Sequence, residues 1–269
     1  TELTSTTISN CYFDSQVMKS ESYAIQIITG KVLVDSCSFI YDSFNFINNG
    51  GIYLGNYCFS AYNCQFINTT TTSAIVFKQT IENNNSNKLI NCTFNNCRYQ
   101  NTVCFDIAVF SLIEMKNITI ENIFQQNVES YFGQIKSSSN SLYLNEVIIE
   151  EISFINNACD NLYGGGSGLM ILSEKVIFKQ CRFINNVAIK SNTKQRPQPD
   201  GIEDAYYNGD GGGIQWGYSQ LTFDTELEFI ECSFKDNKAN RHGGAIAIQT
   251  LKTVSIINCA FESNIADYK

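Results

Sequence analysis

Cys181-Arg182-Phe183-Ile184-Asn185-Asn186 and Cys232-Ser233-Phe234-Lys235-Asp236-Asn237 are two copies of one phrase. Its core, Cys-x-Phe, returns at Cys11-Tyr12-Phe13, Cys37-Ser38-Phe39, Cys64-Gln65-Phe66, Cys92-Thr93-Phe94 and Cys259-Ala260-Phe261. Phe124 and Phe154 keep the Asn three residues on, at Asn127 and Asn157, and fill the gap between Phe94 and Phe183. Phenylalanines at 13, 39, 66, 94, 124, 154, 183, 234 and 261 are then 26, 27, 28, 30, 30, 29, 51 and 27 residues apart. A repeat of this length marks a solenoid, a propeller or an array.

Inside a unit, apolar residues alternate over short runs, as in Lys31-Val32-Leu33-Val34 and Thr253-Val254-Ser255-Ile256-Ile257. Period two is the signature of strands. No helical spacing is sustained; Glu121 to Val128 comes nearest and is too short. Clusters such as Asn48-Asn49-Gly50-Gly51 and Gly164-Gly165-Gly166 separate the runs and supply turns. Two or three short strands in 26 to 30 residues make one circuit of a parallel β-helix, each rung bonded to the next at about 4.8 Å. A propeller blade needs about 40 residues and usually a Trp-Asp or Gly-His signature, which are missing here. The expected fold is all-β, a parallel β-helix of about nine rungs.

Stacked rungs place equivalent residues over one another, so the phenylalanines form an inward column. The position two before Phe is Cys in seven units, Ile152 in one and Asn122 in another. A site that accepts Ile does not need a thiol, which reads these cysteines as small buried hydrophobes. Asn127, Asn157, Asn186, Asn237 and Asn264, three after Phe, read as an amide ladder inside a turn.

In the second half, Phe234-Lys235-Asp236-Asn237 precedes Gly243-Gly244-Ala245-Ile246, Phe183-Ile184-Asn185-Asn186 precedes Gly211-Gly212-Gly213-Ile214, and Phe154-Ile155-Asn156-Asn157 precedes Gly164-Gly165-Gly166. This resembles the Phe-x-x-Asn and Gly-Gly-Ala-Ile repeat of the polymorphic outer membrane protein family over residues 150 to 269, and more loosely before them. The resemblance implies a right-handed parallel β-helix on a cell surface, often adhesive. Similar repeats occur in large surface proteins of protists, and the Asn, Ile and Lys richness fits such a source.

The 43% apolar content and the lack of a Pro-rich or charge-rich linker read as one elongated domain over residues 1–269. The chain opens and closes inside a repeat, so it is expected to be the ordered part of a longer polypeptide, or to abut other chains. A net charge of −8 argues against nucleic acid, which needs a basic stripe. No apolar run is long enough for a spanning helix.

Of the 11 cysteines, Cys58, Cys97, Cys104 and Cys159 stand off the Cys-x-Phe column and are the disulfide candidates. Asn68, Asn84, Asn91 and Asn117 head N-glycosylation triplets. Asn68 and Asn84, in polar turns, read as the better acceptors, since Asn91 adjoins a buried column. Cysteine load, sequons and resemblance together place the protein outside the cell or on its surface.

The 51-residue step is a loop insertion over residues 189–208 that holds both prolines, Pro197 and Pro199. Asp200, Glu203, Asp204 and Asp210 form its acidic group, with Tyr206 and Tyr207 beside them, a set suited to calcium, a glycan or a protein partner. With one histidine, His242, triads and His-rich metal sites have nothing to build on, and no cofactor is expected. The sequence thus reads as a non-enzymatic structural or adhesive module that self-associates or joins a filament or coat. A β-helix polysaccharide lyase or hydrolase, and a glycan-binding module without turnover, are the alternatives.

Overall fold

The computed structural model describes residues 5–14, 22–27, 30–40, 49–56, 58–68, 74–79, 87–100, 105–109, 113–126, 133–137, 144–160, 166, 169–171, 173–189, 210–216, 226–248 and 252–267. Among these residues, two sheets are nine strands deep, two are six deep and one is a pair. The first long sheet runs from Ser5–Ser9 through Lys31–Asp35 and Cys58–Tyr62 to Thr253–Ile257, the second from Tyr12–Asp14 through Ser38–Ile40 to Ala260–Glu262. Strand partners are parallel, each a coil away in sequence, as in Ser5↔Lys31 and Phe13↔Phe39. The chain is a parallel β-solenoid, as its period requires.

Among the described residues the coil bends at single residues held in the left-handed region, at two corners. Between the first and second sheets these are Asn10, Ser36, Asn63, Asn91, Asn117, Glu151, Gln180, Glu231 and Asn258; after the second sheet they are Asn68, Asn96, Asn122, Asn156, Asn185, Asp236 and Ser263. All have φ between 50 and 58°, a region Asn enters at least cost among residues with a side chain. The bend breaks no hydrogen bond, since corner N–H groups donate to the next rung, as Asn91 does to Lys116 O at 3.0 Å.

The phenylalanine column fills the interior. Phe13, Phe39, Phe66 and Phe94 stack with centroids 4.7 to 4.9 Å apart, and Phe154, Phe183, Phe234 and Phe261 repeat the spacing. The register corrects one member. Phe94 pairs with Ile120, and Ile120 with Phe154, so Ile120 holds the column position and Phe124 lies in the next strand, paired with Arg98 and Ala158. Phe124 is 38% exposed, whereas Ile120 is fully buried. The thiol column changes in step, its member there being Ile118 instead of Asn122, which occupies a left-handed corner.

Column thiols have structural partners. Cys181 Sγ donates to Ile149 O and Cys232 Sγ to Phe178 O, both at 3.4 Å across a rung. Burial pushes the Cys37 and Cys181 thiols above the usual range. Among the described residues no two cysteines form a disulfide, Cys58, Cys97 and Cys159 included, and Cys104 lies outside the described residues.

The amide ladder occupies the second corner. Asn157 Nδ2 donates to Asn186 Oδ1, Asn186 Nδ2 to Asn237 Oδ1 and Asn237 Nδ2 to Asn264 Oδ1, at 2.8 to 3.0 Å. The same amides reach back to carbonyls of the preceding rung, as Asn186 Nδ2 does to Phe154 O at 2.9 Å. One rung earlier Ile123 holds this position, donating its N–H to Asn157 Oδ1, and one before that Cys97, whose thiol meets Phe66 O at 3.7 Å. Asn127 is outside the described residues.

Outside, charges alternate between rungs. Glu150 lies between Lys116 at 3.2 Å and Lys179 at 3.1 Å, and these two lysines hold its carboxyl below the usual range. Such exposed pairs stabilise weakly, so the interior columns carry the fold.

Candidate contact site at the glycine corner

Where the 189–208 insertion rejoins the coil, the sequence Asp210-Gly211-Gly212-Gly213 lies over His242-Gly243-Gly244-Ala245. Gly211 N–H donates to His242 O at 2.8 Å and Gly212 N–H to Gly243 O at 3.0 Å, which stacks Asp210 on His242 in adjacent turns. Glycine is demanded along both turns. Gly211 has φ +65°, and a Cβ on Gly212 would collide with the carbonyl oxygen of Gly244. The Gly-Gly repeat is therefore a steric requirement of close backbone approach.

Asp210 is the one member of the predicted acidic group in the described structure, and it is 2% exposed. Its Oδ1 accepts the His242 backbone N–H at 3.1 Å and lies 3.3 Å from Arg241 Nε and 3.3 Å from His242 Nδ1. Arg241 Nε also donates to His242 Nδ1 at 3.0 Å. The ring accepts at Nδ1 in that tautomer, so its approach to Asp210 becomes an ion pair only when the imidazole is protonated. Burial raises the Asp210 carboxyl above the ordinary range, against the opposing pull of Arg241 and the His242 N–H. Asp200, Glu203, Asp204, Tyr206 and Tyr207 lie outside the described residues, so the structure does not bring the acidic and tyrosine set together.

Beside this corner, Ile214–Trp216 pairs with Ile246–Ile248. Trp216, read from sequence as a packed or half-exposed strand residue, is 7% exposed and meets Phe178 edge-on at 6.3 Å. Gln215, between Ile214 and Trp216, is buried, and its Oε1 accepts no hydrogen bond among the described residues. Arg241 and Gln215 escaped the sequence reading. Aligning the two Gly-Gly pairs points to Arg241 by placing Asp210 over His242, but no motif marks Gln215.

Chemically, the corner clamps a turn: one buried carboxylate is held by a guanidinium and a backbone N–H, with a half-exposed imidazole at the rim. Among the described residues no three His, Cys, Asp or Glu side chains are grouped to hold a metal ion. No helix among them is long and apolar enough to cross a membrane.

Of the sequons, Asn91 and Asn117 are exposed at left-handed corners, Asn68 is half-buried at another, and Asn84 lies outside the described residues. Adjacency to the buried thiol column does not bury Asn91, because the corner turns its side chain outward. Compared with protein-family models, with curated proteins and with solved structures, the chain finds no match.

Proposed function

We propose that the chain is a non-enzymatic extracellular or cell-surface rod of the polymorphic outer membrane protein type. It sets distance along its axis, presents corner loops to a protein or glycan partner, and joins other copies in a filament or coat. The observation that carries this reading is the filled bore. Phenylalanine, thiol and amide columns lock each rung to the next, while the 189–208 insertion interrupts the repeat period once. A solenoid of this kind is a stiff support for variable contact loops.

The glycine corner favours a glycan or polar peptide as the contact, since Arg241 and the half-exposed His242 offer polar groups near the insertion. Saturable binding to immobilised glycans or cell-surface extracts, abolished by deleting residues 190–208 and weakened by Arg241→Ala, is the expected result. Binding unaffected by both changes would remove the contact role from this corner. Incubation with acidic and neutral polysaccharides tests the lyase or hydrolase alternative. New reducing ends or unsaturated products, lost in Asp210→Asn, would replace the rod reading with an enzyme.

A further inference from the structure

The first corner carries an exposed amide ladder distinct from the buried one. Asn117 Nδ2 donates to Asn91 Oδ1 at 2.9 Å, Asn91 Nδ2 to Asn63 Oδ1 at 3.1 Å, and Asn63 Nδ2 to Asp35 Oδ1 at 2.9 Å. Asn91 and Asn117 both head sequons, so two acceptors stand on adjacent rungs about 4.8 Å apart. Their surroundings differ. Asn91 has an amide on either side, whereas Asn117 ends the ladder, and its Oδ1 accepts no hydrogen bond among the described residues. The next corner residue, Glu151, lies 3.5 Å from Lys116. Asn68 is half-buried, and its Oδ1 accepts from Asn96 Nδ2 at 2.7 Å.

We infer that Asn117 is the N-glycan acceptor of this column and that Asn91 stays bare in the folded protein. The donor is a lipid-pyrophosphate-linked oligosaccharide. The Asn117 Nδ2–C1 bond forms as the C1–O bond to pyrophosphate breaks, and the displaced amide proton leaves with the lipid pyrophosphate. One Nδ2–H remains, enough to keep the bond to Asn91 Oδ1. A sugar on Asn91 has ladder amides above and below it at rung spacing, and two branched sugars on successive rungs have no room between them. The inference rests on the extracellular reading for its biological occasion, while its geometry does not.

The test is expression of residues 1–269 behind a heterologous leader in a eukaryotic secretory host, with glycosidase release and peptide mass mapping of the secreted and retained fractions. The expected result is a glycan on Asn117 and an unmodified Asn91 in the secreted fraction. Thr119→Ala, which removes the sequon hydroxyl and leaves both amides, loses one glycan's mass, as does Asn117→Gln. An unmodified Asn117 in both fractions, or Asn91 and Asn117 modified on one secreted molecule, overturns the inference. The native compartment is not read by this experiment. Finding the endogenous protein in the cytosol sinks the surface-rod reading and leaves the acceptor assignment standing.

Discussion

Replacing Phe183 by alanine tests the column that the whole architecture depends on. The ring is fully buried, stacked on Phe154 at 4.9 Å and Phe234 at 4.7 Å, with Phe178 edge-on at 6.0 Å. Truncating a buried Phe to Ala costs about 3 to 5 kcal/mol in transfer and cavity terms. Each lost aromatic contact adds about 0.5 to 1.5 kcal/mol at most, and these effects overlap. The rungs above and below are fixed by their own ladders, which limits collapse into the cavity, so the loss is expected near the upper end, about 5 kcal/mol. For a chain of this size that corresponds to a fall in Tm of roughly 10 to 20 °C. The column also supplies its own control, because Ile120 fills the equivalent position naturally. Phe183→Ile is expected to cost about half as much as Phe183→Ala. Outward-facing Ile184→Ala, on the same strand, is expected to cost under about 1 kcal/mol. Urea unfolding followed by circular dichroism measures all three. A loss below about 1 kcal/mol for Phe183→Ala, or the same loss as for Ile184→Ala, would refute an interior held together by stacked rings.

Asn186→Ala removes a buried link of the amide ladder, orphans the Asn157 N–H and takes one bond each from the Phe154 carbonyl and from the Asn237 oxygen, which keeps the residue-186 backbone N–H; a loss of about 2 to 4 kcal/mol is expected by chemical denaturation, more than for Asn264→Ala at the ladder's end. Gly212→Ala forces its methyl into the Gly244 carbonyl, so amide exchange is expected to quicken by at least about 100-fold from residue 210 to 216 and from 243 to 248, with the first rungs unchanged. For Asp210 the folded-state pKa is raised, so its contribution is fully present below the unfolded carboxylate pKa and is lost as pH rises through the folded value. Asp210→Asn is therefore expected to match the parent's stability near pH 3 and exceed it at pH 7. Glu150, with a lowered folded pKa, runs the other way, and Glu150→Gln is expected to lower stability at pH 7 and not at pH 3. Thermal melts across pH decide both signs.

Much of the fold was legible because an inward strand position repeats its demand at every rung, and a bulky apolar residue answers it. The same tolerance explains the one register error. Phe124, with Asn127 three residues on, satisfied the phrase, while Ile118 and Ile120 satisfied the structure; the true intervals around that rung are 26 residues from Phe94 and 34 to Phe154. Apolar identity cannot choose between two such frames, but backbone conformation can. Left-handed residues recur five positions apart, at Asn63 and Asn68, Asn91 and Asn96, and Asn117 and Asn122. Few side chains enter that region cheaply, so this pair of asparagines carries more register information than any core residue. Read on that spacing, Asn117-Ile118-Thr119-Ile120-Glu121-Asn122 aligns with Asn91-Cys92-Thr93-Phe94-Asn95-Asn96 without help from a phenylalanine. The glycine corner was harder to read for the opposite reason. Asp210 stands where the insertion rejoins the coil and acquires its partners from the following turn, and a contact made once leaves no repeat in the sequence to find. A scaffold position in this chain therefore announces itself by recurrence, and a contact position only by departure from it, which is why the filled bore was predictable and the Asp210 and Arg241 pairing was not.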